Sequence, residues 1–206
     1  MSKGLFIVFE GIDGAGKSTQ AKLLASALES AGKKVYMTAE PTELPSGKAL
    51  REVLGGKVKK TPCEIALMFA EDRVAHNTDS ELGIEKMLSE GAYIICDRYY
   101  YSSLAYQGSE VDYDWVKALN TRCPDIRHPD LCIFLDLSPT ESMKRIRIGR
   151  DSTEIYENEE TLSTVRNTFM KVLEDMKKED KIAIIDASGD IENVASAILD
   201  AVKSIL

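Results

Sequence analysis

The chain has 206 residues, of which 44% are hydrophobic, and its formal net charge at pH 7 is −8. A chain of this length can bury about 70% of its unfolded surface and is most simply one domain, 1–206. The acidic balance argues against a nucleic-acid-binding protein, and the lack of an apolar run of about 18 residues argues against a membrane protein.

The N-terminus and the cysteines predict a cytoplasmic protein. The chain enters its first apolar run almost at once, without the segments of a signal peptide. The cysteines form no C-x-x-C pair and show no metal-ligand spacing, so we expect reduced thiols. They are Cys63, Cys96, Cys123 and Cys132.

Short apolar runs alternate with helical patterns along the chain. The runs predict strands at 5–10, 34–38, 92–97, 131–136 and 181–186. The helical patterns lie at 17–31, 46–55, 62–89, 112–121, 139–149, 158–178 and 190–205. This alternation predicts an α/β fold, a five-stranded parallel sheet with helices on both faces, which binds ligands at the carboxyl ends of its strands.

The first strand and the first helix flank a complete phosphate-binding loop. Residues 11–18 read Gly-Ile-Asp-Gly-Ala-Gly-Lys-Ser, which matches G-x-x-x-x-G-K-[ST] in the strand–loop–helix context that this motif needs. Backbone N–H groups and the helix N-terminus would face an anion. Lys17 would reach the β- and γ-phosphates of ATP, and Ser18 would ligate Mg²⁺. The predicted nucleotide-binding residues are Gly11, Asp13, Gly14, Ala15, Gly16, Lys17, Ser18 and Thr19.

A second polar group follows the third predicted strand. Asp97 and Arg98 come directly after the apolar run 93–96, at the sheet edge that holds the phosphate loop. Asp97 would help to organise the Mg²⁺ shell, and Arg98 would grip a substrate phosphate with two N–H groups. A structural ion pair that closes the strand is the alternative. The N-K-x-D sequence that a GTPase uses to read guanine does not occur.

Five blocks of sequence resemble the thymidylate kinases (dTMP kinases) of archaea and bacteria. The most specific reads Asp-Arg-Tyr-Tyr-Tyr-Ser-Ser-Leu-Ala-Tyr-Gln-Gly at 97–108. The others are 9–20, 40–42 with Leu50-Arg51, 67–73, and 129–136 followed by a basic helix. The resemblance implies a P-loop NTPase fold with a short lid, about 139–160. It also implies transfer of the γ-phosphate of ATP to dTMP, giving dTDP and ADP, and a homodimer that uses the apolar face of helix 62–89.

The resemblance also implies roles for side chains that would hold dTMP. Phe69 would stack on thymine, and Arg73 would donate a hydrogen bond to a thymine carbonyl. Removal of the Arg73 side chain is expected to cost little stability. Tyr106 would lie against the 2′ carbon, where a ribose hydroxyl would clash. The full implied set for the acceptor is Asp13, Glu40, Arg51, Phe69, Arg73, Arg98, Ser103, Tyr106 and Gln107. Alternatives stay open: Phe69 and Tyr106 can be core residues, and Asp72-Arg73 can be a solvated helix pair.

The lid is expected to carry a catalytic arginine. In the resembled family this arginine comes from the phosphate loop or from the lid, and the variable loop positions 12–15 hold no basic residue. We expect Arg150 first, then Arg147, ahead of Arg145. Glu154 and Glu157 match acidic positions that approach the nucleotide. The complete expected catalytic set is Asp13, Lys17, Arg98, Arg147 and Arg150.

Some features depart from the family or need no function. Ala39 stands where many members carry Arg, which leaves the affinity for the acceptor open. His76 and His128 are expected to be structural, because a phosphate acceptor needs no general base. The stretch 110–130 matches least well and is expected to lie outside the chemistry. A nucleotide kinase with another base preference and a nucleotide-dependent switch remain the alternative functions.

Overall fold

A computed structural model describes residues 4–149 and 159–206 and contains one parallel sheet. Its strands are β1 (Phe6–Glu10), β2 (Val35–Ala39), β3 (Tyr93–Asp97), β4 (Leu131–Asp136) and β5 (Ile182–Asp186). They are ordered β2-β3-β1-β4-β5, and every neighbouring pair is parallel. The predicted five-stranded α/β fold is confirmed.

The register of the sheet brings polar residues together at its carboxyl edge. β1 is the central strand, with Phe9 opposite Asp97 of β3 and Glu10 opposite Phe134 of β4. Ala39 of β2 lies opposite Asp97 on the other side of β3. Because all strands run in the same direction, the residues that follow them share one edge of the sheet. That edge carries the phosphate loop.

Helices cover both faces of the sheet. In the described part of the chain they are α1 (Lys17–Ser30), α2 (Pro45–Leu54), α3 (Pro62–Thr78), α4 (Ile84–Ser89), α5 (Tyr100–Glu110), α6 (Tyr113–Thr121), α7 (Pro139–Gly149), α8 (Glu159–Met176) and α9 (Ile191–Lys203). Successive strand side chains point to opposite faces. Ile7 and Phe9 therefore join the core beneath α1, α7 and α9, whereas Phe6 and Val8 join the core of α3, α4, α5 and α8.

The predicted helix 62–89 is wrong in its length. It begins as expected, with the Thr61–Glu64 capping box, but it ends at Thr78, and a short second helix starts at Ile84. The Asp79 carboxylate accepts hydrogen bonds from the backbone N–H groups of Glu81 (3.0 Å) and Leu82 (2.8 Å). Such local bonds offer the backbone an alternative to the helix, which explains the break.

Helix α5 was not predicted from the sequence. Its 11 residues include Tyr, Ser and Gly and carry no strong helical pattern, and its N-cap residue Tyr99 forms no capping bond with its own side chain. The helix lies almost entirely against the core, with Tyr100, Tyr101 and Leu104 fully buried. Tertiary packing therefore decides the structure of this segment. Among the described helices, none is long and apolar enough to cross a membrane.

Candidate active site

The phosphate loop adopts a conformation that its glycines make possible. Gly11 has φ 144°, and a Cβ built there would lie 2.8 Å from the carbonyl oxygen of Leu135. Gly14 (φ 76°) and Gly16 (φ 94°) also occupy the left-handed half of the backbone map, where L side chains are strained. The loop leads directly into α1, so N–H groups at the helix start are available to an anion.

Lys17 lies inside the loop and not in solvent. Its Nζ donates to the carbonyl oxygens of Gly11 (3.0 Å) and Ile12 (3.2 Å), and only 8% of the residue is exposed. Burial and, to a smaller extent, the neighbouring Arg98 guanidinium lower the pKa of Lys17 to about 8, although nearby carboxylates act in the opposite direction. An anion that entered the loop would stabilise the charged ammonium.

A hydroxyl and a carboxylate meet at the carboxyl edge of the sheet. The Ser18 hydroxyl donates to Asp97 Oδ2 at 2.9 Å. A hydroxyl and a carboxylate fit the needs of Mg²⁺, which takes few protein ligands and completes its shell with phosphate oxygens and water. Within residues 4–149 and 159–206, no group of three or more His, Cys, Asp or Glu side chains is placed to hold a metal ion.

Arg98 extends from the same strand end across the loop. One guanidinium nitrogen donates to Asp13 Oδ1 (2.6 Å), the other donates to Ser102 Oγ (3.1 Å), and the Tyr106 ring centroid lies 5.9 Å away. Its backbone φ is 69°, and Arg98 is the one residue other than glycine with positive φ in the described chain. The phosphate loop and α5 therefore hold this arginine between them.

Glu10 is a residue that sequence reasoning did not place in the site. It is fully buried at the end of β1, and burial raises the pKa of its carboxyl, opposed by the Arg98 charge and by hydrogen bonds from Ser102 and Tyr99. A carboxylate that ends an apolar strand directly before a phosphate loop was the available signal. Such a buried charge needs partners to offset its desolvation.

Arg73 lies at the centre of a buried polar network between α3, α5 and α6. Its guanidinium pairs with Glu40 through Nε (2.9 Å) and NH2 (2.6 Å), contacts the Asn120 amide oxygen, and donates to Ser103 Oγ (3.3 Å). The side chain is 1% exposed and stacks over Tyr99. This contradicts the expectation that Arg73 can be removed at little cost in stability. The buried Glu40 carboxylate would lose its guanidinium partner and keep the His76 ring, whose Nδ1 lies 3.0 Å from Oε1.

The neighbouring Asp72 is equally buried, so the alternative of a solvated Asp72–Arg73 pair is wrong. Asp72 accepts hydrogen bonds from the backbone N–H (2.8 Å) and hydroxyl (2.6 Å) of Thr42 and from the Ser46 hydroxyl (2.7 Å). These bonds fix the loop after β2. Arg51 holds the same loop by donating to the carbonyl oxygens of Thr42 (2.6 Å) and Pro41 (2.9 Å).

Asn120 lies in the part of the chain that matches the family least well. The stretch 110–130 was expected to lie outside the chemistry, yet Asn120 of α6 is fully buried and contacts Arg73. Phe69 and Tyr106 are half-buried, whereas Ser103 and Gln107 are buried, and Gln107 Oε1 has no hydrogen-bond partner among the described residues.

A cavity of about 870 Å³ opens between the phosphate loop and the start of α9. Lys17, Ser18 and Asp97 line its inner end, and Gly189 and Ile191 line its far wall. Arg145 also lines it and donates to the carbonyl oxygen of Ala187 at 2.8 Å. The cavity extends from the cationic groups of the loop to the start of α9, where Asp190 and Glu192 also line it. A cleft of this size next to a phosphate-binding loop can hold a nucleotide.

The lid arginines divide into three cases. Arg145, which was ranked last, forms part of the cavity wall, and Arg147 is exposed. Arg150 lies outside the described residues, as do Glu154 and Glu157. Both helices next to this segment are anchored: Ser142 of α7 donates to the Asp13 carbonyl, and Arg166 of α8 binds Asp136 through two bonds of 2.6 and 2.8 Å.

Comparison with known proteins matches the chain to thymidylate kinases over nearly its whole length. A model of the thymidylate kinase family matches residues 9–198. The chain is 40% identical to a probable thymidylate kinase of Pyrococcus horikoshii, with 98% of this chain and 97% of the relative covered. It is 42% identical to a probable thymidylate kinase of Methanococcus aeolicus (98% and 95% covered). It is 35% identical to a thymidylate kinase of Bifidobacterium longum (98% of each chain covered).

Proposed function

The chain belongs to the thymidylate kinase family, and from this premise we propose that it transfers the γ-phosphoryl group of ATP to dTMP. The products are dTDP and ADP, in the synthesis of dTTP. The observation that carries this proposal is the direct contact between the phosphate loop and Arg98, because Asp13 of the loop binds the Arg98 guanidinium at 2.6 Å. Groups suited to two different phosphates thus lie at one strand edge.

We propose that the loop side holds ATP. The backbone of Gly11, Gly14, Ala15 and Gly16, with the first residues of α1 through Thr19, would surround the phosphates. Lys17 would exchange its two loop carbonyls for phosphate oxygens, which a charged ammonium binds more strongly. Ser18 and Asp97 would hold Mg²⁺, which when bound neutralises phosphate charge.

The acceptor would lie on the other side of Arg98. Arg98 and Arg51 would hold the 5′-phosphate, and Asp13 would accept a hydrogen bond from the 3′-hydroxyl. Phe69 offers a half-buried ring to the base, and Tyr106 offers one to the sugar. The remaining set of base-side and supporting residues is Glu40, Arg73, Ser103 and Gln107.

The reaction requires the protein to position the substrates and neutralise their charge, and it requires no general base. The attacking group is already a phosphate oxygen anion, so the protein must align two anions and offset their repulsion. Lys17, Arg98 and the lid arginines would supply that charge. Segment 139–160 would act as the lid, with Arg150 or Arg147 in contact with the transferred group and Arg145 beside the donor.

An acceptor panel tests this function. ADP release is measured with dTMP, dUMP, UMP, CMP, AMP and thymidine, each at several concentrations with ATP and Mg²⁺. We expect dTMP to give the highest kcat/KM, and dUMP to be poor but detectable, since a single methyl group is worth about 1–3 kcal/mol in a fitted pocket. A preference for UMP or CMP contradicts the base assignment. ADP release that is independent of any acceptor contradicts the kinase assignment.

Three further properties belong to the same proposal and rest on the family. The chain would work as one domain, as a homodimer and in the cytoplasm. Leu67, on α3, supports the dimer because 49% of this apolar side chain is exposed. Sedimentation at micromolar concentration measures the dimer, and Leu67→Asp should shift it to the monomer.

A further inference from the structure

Glu10 is an ionisable group that the reaction does not use. It ends β1, and none of its surface reaches solvent or the cavity. Its two carboxylate oxygens receive three hydrogen bonds: Oε1 from the backbone N–H groups of Tyr99 and Ser102, and Oε2 from the Ser102 hydroxyl. Three donors and no acceptor around a buried carboxyl fit the ionised form.

Two of these bonds cap α5. The N–H groups of a helix's first turn lack the usual i−4 carbonyl partners, and Tyr99 at the N-cap provides no acceptor from its side chain. The Ser102 N–H does reach the Tyr99 backbone carbonyl at 3.1 Å, and it shares its hydrogen between that oxygen and Glu10. Glu10 accepts from the N-cap N–H at 2.8 Å and from the Ser102 N–H, three residues later, at 3.1 Å. These are the two N–H groups that a capping box satisfies with two side chains of its own helix. Here one carboxylate from a distant strand satisfies both.

The third bond continues to Arg98. Glu10 Oε2 can only accept, so the Ser102 hydroxyl must donate its hydrogen to it, at 2.7 Å. The Ser102 oxygen is then left as an acceptor, and Arg98 NH1 donates to it at 3.1 Å. The carboxylate therefore fixes the direction of the hydroxyl, and the hydroxyl fixes one end of the guanidinium.

The other end of the same guanidinium is held by the phosphate loop, through Asp13. Between these two attachments, the backbone of Arg98 has φ 69°, in a region that costs a residue with a Cβ about 1 kcal/mol or more. Such a conformation persists only where its surroundings enforce it. Tyr99 is the next residue in the chain, and the hydrogen bond from its backbone N–H to Glu10 helps to enforce the conformation of Arg98.

We propose that Glu10 is the positioning residue for Arg98, and that it acts by capping α5 and orienting the Ser102 hydroxyl. Its carboxylate never touches a nucleotide. Glu10 fixes the position of the Arg98 guanidinium before the acceptor phosphate binds. The inference rests on the proposed function, in which Arg98 holds the 5′-phosphate of dTMP.

The test compares Glu10→Gln, Ser102→Ala, Arg98→Ala and the double variant Glu10→Gln/Arg98→Ala. In Glu10→Gln, the amide oxygen can keep both backbone bonds, but its NH₂ group then faces a hydroxyl that Arg98 already uses as an acceptor. We expect KM for dTMP to rise roughly tenfold, the loss of one hydrogen bond to a charged group. KM for ATP should stay within about twofold, because the donor contacts are intact. Ser102→Ala, which keeps the cap, should raise KM for dTMP severalfold.

Asp112→Ala is the matched control. Asp112 caps α6 by accepting from the Trp115 N–H at 2.7 Å and is not part of the site. It should lower the melting temperature and leave both KM values unchanged, which separates a lost helix cap from a displaced arginine.

The double variant gives the decisive outcome. In the Arg98→Ala background, Glu10→Gln should raise KM for dTMP by no more than about twofold, because its target is gone. An equal rise with and without Arg98, or an equal rise in KM for both nucleotides, overturns the inference. If Glu10→Gln does not fold, an unchanged KM for dTMP in Ser102→Ala overturns it. If Arg98→Ala itself leaves KM for dTMP unchanged, the assignment of Arg98 in the proposed function is wrong.

Discussion

The two sides of the site are built in different ways. The donor side, residues 11–19, holds its groups on the backbone of one continuous segment, and its glycines supply the geometry. The proposed acceptor side gathers side chains from the loop after β2 and from α3, α5 and α6, and a buried network around Arg73 connects them. On the proposed assignment, a change on the donor side removes a group that acts directly on the phosphates. A change in the Arg73 network would instead displace the neighbouring side chains that contact dTMP.

The largest effect should follow from Lys17→Ala. This substitution removes the ammonium that the loop holds at 3.0 Å from the Gly11 carbonyl. One charge-stabilising group in a dry site is commonly worth about 10²–10³-fold in rate, and we expect at least that loss in kcat with an unchanged melting temperature. Stopped-time assays of ADP formation measure it. If a folded Lys17→Ala variant keeps activity within a few-fold of the wild-type enzyme, the assignment of Lys17 to the donor side is wrong.

Substitutions in the lid should cause a smaller loss of kcat than Lys17→Ala. They also separate arginines that act on the transferred group from an arginine that binds ATP. Arg150→Ala should lower kcat more than it raises KM for dTMP, by roughly 10²-fold, because a lid arginine acts mostly in the closed transition state. Arg147→Ala should have less effect. Arg145→Ala should instead raise KM for ATP, since Arg145 lines the cavity beside the Ala187 carbonyl. Equal effects of all three changes contradict this division.

On the acceptor side we expect a change in KM and in stability together. Arg73→Ala removes the guanidinium partner of the buried Glu40 carboxylate and leaves it with the His76 ring. Breaking a buried ion pair costs up to about 3–5 kcal/mol. Asn120→Ala should leave that pair in place and raise KM for dTMP severalfold. Asn120→Asp is its control, because it keeps the oxygen that Arg73 NH1 contacts. Urea unfolding and dTMP titrations separate the two effects, and a normal KM in Asn120→Ala limits its role to packing.

The smallest effect, a change in melting temperature, tests whether Asp180 and His128 stabilise the start of α5. Asp180 is buried and accepts hydrogen bonds from Tyr100 (2.6 Å) and Tyr101 (2.7 Å) of α5 and from His128 (2.6 Å). The bond to Asp180 raises the pKa of His128 above its usual value of 6.5, more than partial burial lowers it, and Glu179 adds a smaller increase. The folded protein therefore binds this proton more tightly than the unfolded chain.

Because the folded pKa is the higher one, this stabilisation is fully present below about pH 6.5 and is lost as the pH rises through the folded pKa. His128→Gln should lower the melting temperature most near about pH 6, and the gap to the unchanged protein should narrow towards about pH 9. Thermal unfolding at both pH values measures the gap. A gap that does not vary with pH shows that the charge of His128 does not contribute.

The same contrast explains what the sequence could predict. The strand–loop–helix setting of Lys17 and Ser18 could be predicted because their motif is local, and the strands could be predicted because each is a short apolar run. Helix α5 was missed because its cap, Glu10, is 89 residues distant from Tyr99. The break after Thr78 depends on an Asp79 side chain that competes with the helix, a weak signal within a long pattern. The Glu40–Arg73 pair joins residues 33 apart in the chain.

The alternation of side chains along β1 has a consequence for folding. Phe6, Val8 and Glu10 share the face toward α5, while Ile7 and Phe9 face α1. A slip of one residue in the pairing of β1 would turn every one of these side chains to the opposite face. Phe9 would then meet the start of α5, and a carboxylate would enter an apolar core. Core and site thus share one register, so a misaligned chain loses stability and activity in the same event, and recovery of activity on refolding reports correct alignment of the sheet.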